Sequence, residues 1–296
     1  MDNFSAQYIE TGEARIFIKK AGTGLPLLLL HGFPETHYMW RRLAPLLAQK
    51  FTVVVADLRG YGESSCPPSK DDHSTYSKRA MARDMVVVMK QLGFSKFSII
   101  GHDRGARVAY RMALDYPNVA TELVVCDIVP TGIAWKKADS RMMLGFWPWA
   151  MLAQPAPLPE HILKTNAAAI INNACDQWGS SAETFSSETR DVYIRALSDS
   201  QHIHAICEEY RAAATIDRLH DEDDLQAERT ITCPTLVLWG AGGALDTWYQ
   251  EDGGPLTLWK KLAPYAVGES MPGGHFFPEE LPEKTYEKLE SFLTSQ

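Results

Sequence analysis

The stretch that decides the fold is Phe97-Ser98-Ile99-Ile100-Gly101-His102-Asp103-Arg104-Gly105-Ala106-Arg107. An apolar run ends in Gly-x-Asp-x-Gly and passes directly into residues 106–116, which carry a helical pattern closed by Pro117. Small residues on both sides of Asp103 permit a sharp strand-to-helix turn that exposes one side chain at its apex. Outward from this turn, apolar or β-branched runs at 15–20, 26–30, 52–56, 122–126 and 235–239 join 97–100 as strands. Leu27-Leu28-Leu29-Leu30 and Val53-Val54-Val55 are unbroken, as expected of strands covered on both faces of a mostly parallel sheet. Residues 76–92 read as a helix, with Met81, Met85, Val88 and Met89 at helical spacing and Gly93 just past its end. Strands alternating with helices predict a doubly wound α/β sheet.

The alternation stops after Pro130. Residues 132–220 contain no convincing strand and are rich in Trp, Met, Pro and Ala, which predicts a mainly helical cap over the carboxyl edge of the sheet. The core is then 1–131 and 221–296, with the cap inserted after the sixth strand and the acidic run Asp221–Asp224 read as a solvated loop at the return.

Composition agrees with a folded enzyme-sized chain: 296 residues, 45% hydrophobic and 22% charged, which excludes global disorder and fibrous repeats. A formal charge of −8 argues against a nucleic-acid partner, which needs a basic face. Five scattered cysteines without CxxC or zinc spacing point to a reduced chain with no metal site. No basic segment followed by an apolar one opens the chain, and its longest strongly apolar run, 25–30, is far short of the roughly 20 residues that span a bilayer. The expectation is a cytoplasmic protein with a small-molecule partner and no membrane association; a homodimer is compatible with this.

Three further segments give the Asp103 turn a chemical setting. His31-Gly32-Phe33-Pro34 follows the 26–30 strand, where a loop N–H from Phe33 can pair with that of Arg104 as an oxyanion hole. Gly273-Gly274-His275-Phe276 presents a histidine late in the chain, suited to a general base. Asp127 ends the 122–126 strand and can orient His275, with Asp246 as the competing orienter. In the chain order nucleophile, acid, histidine, these features resemble the α/β-hydrolase superfamily over nearly the full length. Aspartate at the turn narrows the chemistry to sp³ carbon, because its attack leaves an ester that the same histidine can hydrolyse. Arg104 and Arg107, one and four positions beyond the nucleophile, can hold a planar carboxylate bidentately while the adjacent carbon faces Asp103.

The segments HGFPETHYMW, DLRGYGES, GHDRGARVAYRMALDYP, CDIVPT, LAQPAPLPEHI, EEYRAAATID and PGGHFF resemble haloacetate dehalogenases, the fluoroacetate dehalogenase group, from about residue 25 to residue 280. The resemblance implies Asp103 as nucleophile, Asp127 and His275 as charge partner and base, and Arg104 with Arg107 on the substrate carboxylate. It also implies a halide pocket in the cap, to which Trp149 and Tyr210 map, and glycolate as the product of a monohaloacetate. No metal or organic cofactor is called for. One departure stands out: fluoride-cleaving members carry a histidine immediately before the pocket tryptophan, whereas this chain has Pro148. Two rival functions share the framework. An epoxide hydrolase would use the same Asp103 and His275 with Tyr210 and a second cap tyrosine, for which Tyr193 is the candidate. A non-catalytic binding module would have no use for a water-activating His275. A serine esterase is disfavoured because Ser64, Ser65 and Ser98 sit at no such turn.

Overall fold

The computed structural model describes residues 1, 3–241 and 243–294. Eight strands form one sheet in the order β1-β2-β4-β3-β5-β6-β7-β8. They are β1 (Ser5–Glu10), β2 (Arg15–Ala21), β3 (Pro26–Leu30), β4 (Thr52–Ala56), β5 (Phe97–His102), β6 (Ala120–Cys126), β7 (Thr235–Gly240) and β8 (Val267–Met271). β1 and β2 are antiparallel to their neighbours, and from β4 to β8 all pairing is parallel. The expected doubly wound, mostly parallel α/β sheet is therefore present.

The period of two along each strand splits the leucine and valine runs between two cores. Leu28, Leu30, Val54, Ile99, Val125 and Val237 face one layer of helices, while Leu27, Leu29, Val53, Val55, Ile100, Val124 and Leu238 face the other. Both faces are thus dry, and the strand ends rather than the faces are left for chemistry. The two strands that the sequence conceals, β1 and β8, lie at the sheet edges, where exposed polar residues break any apolar run. β1 raises the number of strands before the insertion to six.

Between β6 and β7 the described residues contain helices and no strand. The segment passes over the carboxyl ends of the central strands through helices that include Pro148–Leu152 and Ser200–Ala214. Its last helix, Ile216–Gln226, runs straight across residue 220. The reading of Asp221–Asp224 as a solvated loop is corrected here: Asp221 and Asp224 are buried, three apart on one helical face. Asp221 accepts from Arg111 at 2.9 Å, Tyr110 O–H at 2.8 Å and Gly132 N–H at 2.8 Å, and Asp224 pairs with Arg111 at 2.6 Å. A buried arginine on the core needed these acids, and a run of four acidic letters does not reveal which two point inward. No helix among the described residues is long and apolar enough to cross a membrane, and all five cysteines are free.

Candidate active site

Asp103 follows the last residue of β5, His102, and is the first residue of the helix Asp103–Asp115, three residues before the helical start expected from sequence. Its φ of 43° lies in the left-handed region, which Asp tolerates better than most residues and which tight packing must enforce. Gly105 supplies that packing, because a Cβ there would strike the carbonyl oxygens of Leu30 and His31. Gly32 has no side chain for a similar reason: its missing Cβ would collide with the Asp103 side chain. That closeness lets Phe33 N–H donate to Asp103 Oδ2 at 3.1 Å. The Arg104 N–H sits at the free helix N-terminus and makes no hydrogen bond with the carboxylate.

Asp103 is buried, which by itself would raise its proton affinity. His275, Arg104, Arg107 and His102 outweigh burial and hold the carboxyl below its ordinary value, so Asp103 is an anion. Across the site His275 Nδ1 and Asp127 Oδ2 are 2.5 Å apart, and Gly240 N–H donates to Asp127 Oδ1 at 2.8 Å. Asp127 is itself left-handed, with φ 53°, which turns its carboxylate toward His275 at the β6 end. Asp246 accepts from Trp239 Nε1 at 2.7 Å instead, so it is Asp127 that orients the histidine. With Nδ1 committed, His275 Nε2 has no hydrogen-bond partner among the described residues, and the residue lines a cavity.

A small cavity is lined by Asp103, Arg107, Trp149, Tyr210 and His275, with Pro148, Trp178 and Tyr249 among the other walls. Its free space is that of about one or two water molecules. Arg107 donates Nη1 to Val129 O and Thr131 Oγ1, both at 3.0 Å, and its buried Nε has no partner. Its guanidinium stands 4.5 Å from the Trp149 ring centroid, and burial beside Arg104 depresses its proton affinity without neutralising it. Trp149 N–H and Tyr210 O–H meet no protein acceptor among the described residues. Burial holds the Tyr210 hydroxyl far above its ordinary value, which keeps it a donor.

The structure thus brings together Asp103, Asp127, His275, Phe33, Arg107, Trp149 and Tyr210. Arg104 differs. It is wholly buried beside the cavity rather than lining it, with Glu209 on its Nε and Nη2 and only Nη1 unpartnered. Sequence reading missed Glu209, Lys78, Trp178 and Tyr249. The signal for Glu209 was available: it is an acid inside a helix whose neighbours Ile206, Cys207 and Tyr210 are otherwise core residues. Tyr193 is not at the cavity; its hydroxyl is spent on Glu279 at 2.6 Å. Behind His275, His102 pairs with Glu35 at 3.1 Å and bonds the His275 carbonyl at 2.8 Å, bracing the loop that carries the histidine. No group of three or more His, Cys, Asp or Glu among the described residues could hold a metal ion.

A family model for the alpha/beta hydrolase fold matches residues 26–277. The chain is similar to a fluoroacetate dehalogenase from Burkholderia sp, 39% identical over 294 residues, which cover 99% of this chain and 95% of that one. It is also similar to a soluble epoxide hydrolase from Corynebacterium sp. (strain C12), 31% identical over 284 residues, covering 91% of this chain and 90% of the other. Among solved structures, a Nostoc sp PCC 7120 protein assigned to the α/β hydrolases superposes with a TM-score of 0.94 at 46% identity, over 99% of both chains.

Proposed function

The chain is a hydrolase of the α/β-hydrolase family, and from that premise we propose that it is a haloacetate dehalogenase acting through an ester on Asp103. The observation that carries this reading is the ionised Asp103 beside Arg107, a buried cation with an unmet N–H, in a space of a few heavy atoms. A two-carbon acid bearing one negative charge suits that space and that donor.

In the first half-reaction Asp103 Oδ1 attacks the carbon that bears the halogen, and the carbon–halogen bond breaks with its electron pair leaving on the halide. Arg107 at the cavity wall holds the carboxylate, with the unpartnered Nη1 of Arg104, packed behind the Tyr210 and Trp149 rings, as its second donor, which makes the attack effectively intramolecular. Trp149 N–H and Tyr210 O–H, free of protein partners, receive the halide. In the second half His275 Nε2 takes a proton from water, and the hydroxide adds to the Asp103 carbonyl carbon. Charge then builds on Oδ2, the oxygen that already accepts from Phe33 N–H. Collapse breaks the bond between the Asp103 carbonyl carbon and the ester oxygen; that oxygen takes the proton from His275 and leaves as glycolate, and the Asp103 carboxyl loses its own proton through His275 to solvent.

Pro148 lines the cavity and offers no donor. Fluoride is small and strongly hydrated, and a missing charged hydrogen bond costs about 1.5–3 kcal/mol, so chloride and bromide leave faster here than fluoride. A halide-release assay across fluoro-, chloro-, bromo- and iodoacetate, repeated with Pro148→His, is expected to show a gain confined to fluoroacetate.

The decisive experiment is one turnover in heavy-oxygen water. The ester route puts the heavy atom into Asp103 and leaves the first-turnover glycolate unlabelled; label appearing directly in glycolate overturns it. A second reading, epoxide opening, draws on one observation: Tyr249 brings a second tyrosine to the cavity from the core side. Diol formation from a styrene-type epoxide at a rate rivalling chloride release would favour it, against a cavity small for an aryl ring.

A further inference from the structure

Outside the reacting groups, a buried charge cluster of Glu209 with Arg104, Lys78 and Asp217, joined by Tyr61, lies where cap meets core. Glu209 belongs to the cap helix Ser200–Ala214 and is fully buried. Both of its oxygens accept from Arg104 Nε at 2.9 Å, and Oε1 also accepts from Arg104 Nη2 at 2.5 Å. From the core side Lys78 Nζ bonds Oε1, and Tyr61 O–H donates to Oε2 at 3.2 Å. Lys78 is tethered in turn by Asp217, 3.4 Å from its Nζ.

A guanidinium has two edges that can each take a carboxylate: the side-on edge, Nε with Nη2, and the end-on edge, Nη1 with Nη2. Glu209 occupies the first, and Nη1 on the second is buried with no partner. Leaving a charged donor unmet is costly, so a ligand oxygen that reaches Nη1 gains the hydrogen bond the protein does not supply. The guanidinium plane is also fixed from its faces, with Cζ 4.1 Å from the Tyr210 ring centroid and 5.3 Å from that of Trp149.

We propose that Glu209 is a specificity-determining positioning residue: it clamps the side-on edge of Arg104 so that the end-on edge is reserved for the substrate carboxylate. This rests on the haloacetate reading and deepens it. Arg107 supplies charge at the cavity wall, and Glu209 supplies the orientation of the second cation. Without Glu209, Arg104 turns toward whatever oxygen it finds, and Lys78 becomes a like charge with no shared acid between the two.

The test compares wild type, Glu209→Gln and Tyr61→Phe, using acetate and bromide as separate probes. Acetate carries the carboxylate alone and bromide the halide alone. Glu209→Gln is expected to weaken acetate binding, measured by calorimetry, about 10–100-fold and to raise the chloroacetate KM alongside, with kcat within about threefold. Bromide binding, read as quenching of tryptophan fluorescence, should stay within about twofold. A merely structural tie would lower the melting temperature without moving the acetate constant, or would weaken acetate and bromide together; either result overturns the proposal. Should Glu209→Gln fail to fold, Tyr61→Phe removes only one anchor of Glu209 and is expected to weaken acetate about 2–5-fold; unchanged acetate binding there overturns it too. Acetate binding does not depend on turnover. A wild type that binds acetate but releases no halide from haloacetates therefore counts against the dehalogenase reading, and the Glu209 comparison can still be read.

Discussion

The floor and the roof of the cavity are built on opposite plans. On the floor, at the ends of β5 and β6 and in the β8 loop, the groups find their partners within the protein: Phe33 N–H on Asp103, Gly240 N–H and His275 on Asp127, His102 on the His275 carbonyl. On the roof, Trp149 and Tyr210 come from the helices Pro148–Leu152 and Ser200–Ala214, and their polar hydrogens meet no acceptor among the described residues. A floor whose carboxylates and His275 Nδ1 are already tied is organised before substrate arrives, while the Arg107 Nε is left for a ligand to meet. A roof with unmet donors is completed only by a ligand.

The sharpest way to break that division is to remove the nucleophile. Asp103→Asn is expected to reduce steady-state halide release by roughly 10⁴-fold or more while leaving bromide binding intact, because the roof is untouched. Next in size is His275→Ala. The first half-reaction does not use the base, so one equivalent of halide should appear and stop, steady-state turnover should drop about 10²–10⁴-fold, and intact mass should show an adduct on Asp103. A smaller effect tests the roof. Trp149→Phe keeps the ring over Arg107 but deletes the N–H, and halide release should slow about 10–100-fold, most for fluoroacetate and least for iodoacetate. Equal slowing for all halides would mean that Trp149 acts through packing alone.

The smallest effect concerns the brace behind the floor. Burial would lower the proton affinity of His102, but Glu35 overrides it and holds the imidazole up at about 9. A histidine raised in this way adds stability below its ordinary value of about 6.5 and loses that contribution as pH climbs through 9. The urea midpoint of wild type should therefore fall between pH 6.5 and pH 9, and the fall in that window should flatten in His102→Asn. An identical slope in both would separate the brace from the stability of the floor.

How much was legible beforehand follows the same division. The strands β3 to β7 could be read because their central residues are buried on both faces and run apolar, whereas β1 and β8 expose most of their residues at the edges and left no pattern. Asp103, Phe33, Asp127 and His275 lie at strand ends or in glycine-flanked turns, so local sequence marks them. Glu209 and Lys78 lie in ordinary helices, and their significance comes from partners 105 and 139 positions away.

What the sequence determined by itself is the sheet, the turn at Asp103 and the chain order of Asp103, Asp127 and His275. Each depends on residue types spaced along a few neighbouring positions, where backbone geometry translates directly into pattern. Only the tertiary structure decided that Asp127 rather than Asp246 meets His275, that Asp221 and Asp224 are buried partners of Arg111, and that Arg104 is half-occupied by Glu209. Those outcomes turn on which charges burial forces together. That choice is made by the packing of segments distant in the chain, which no local pattern records.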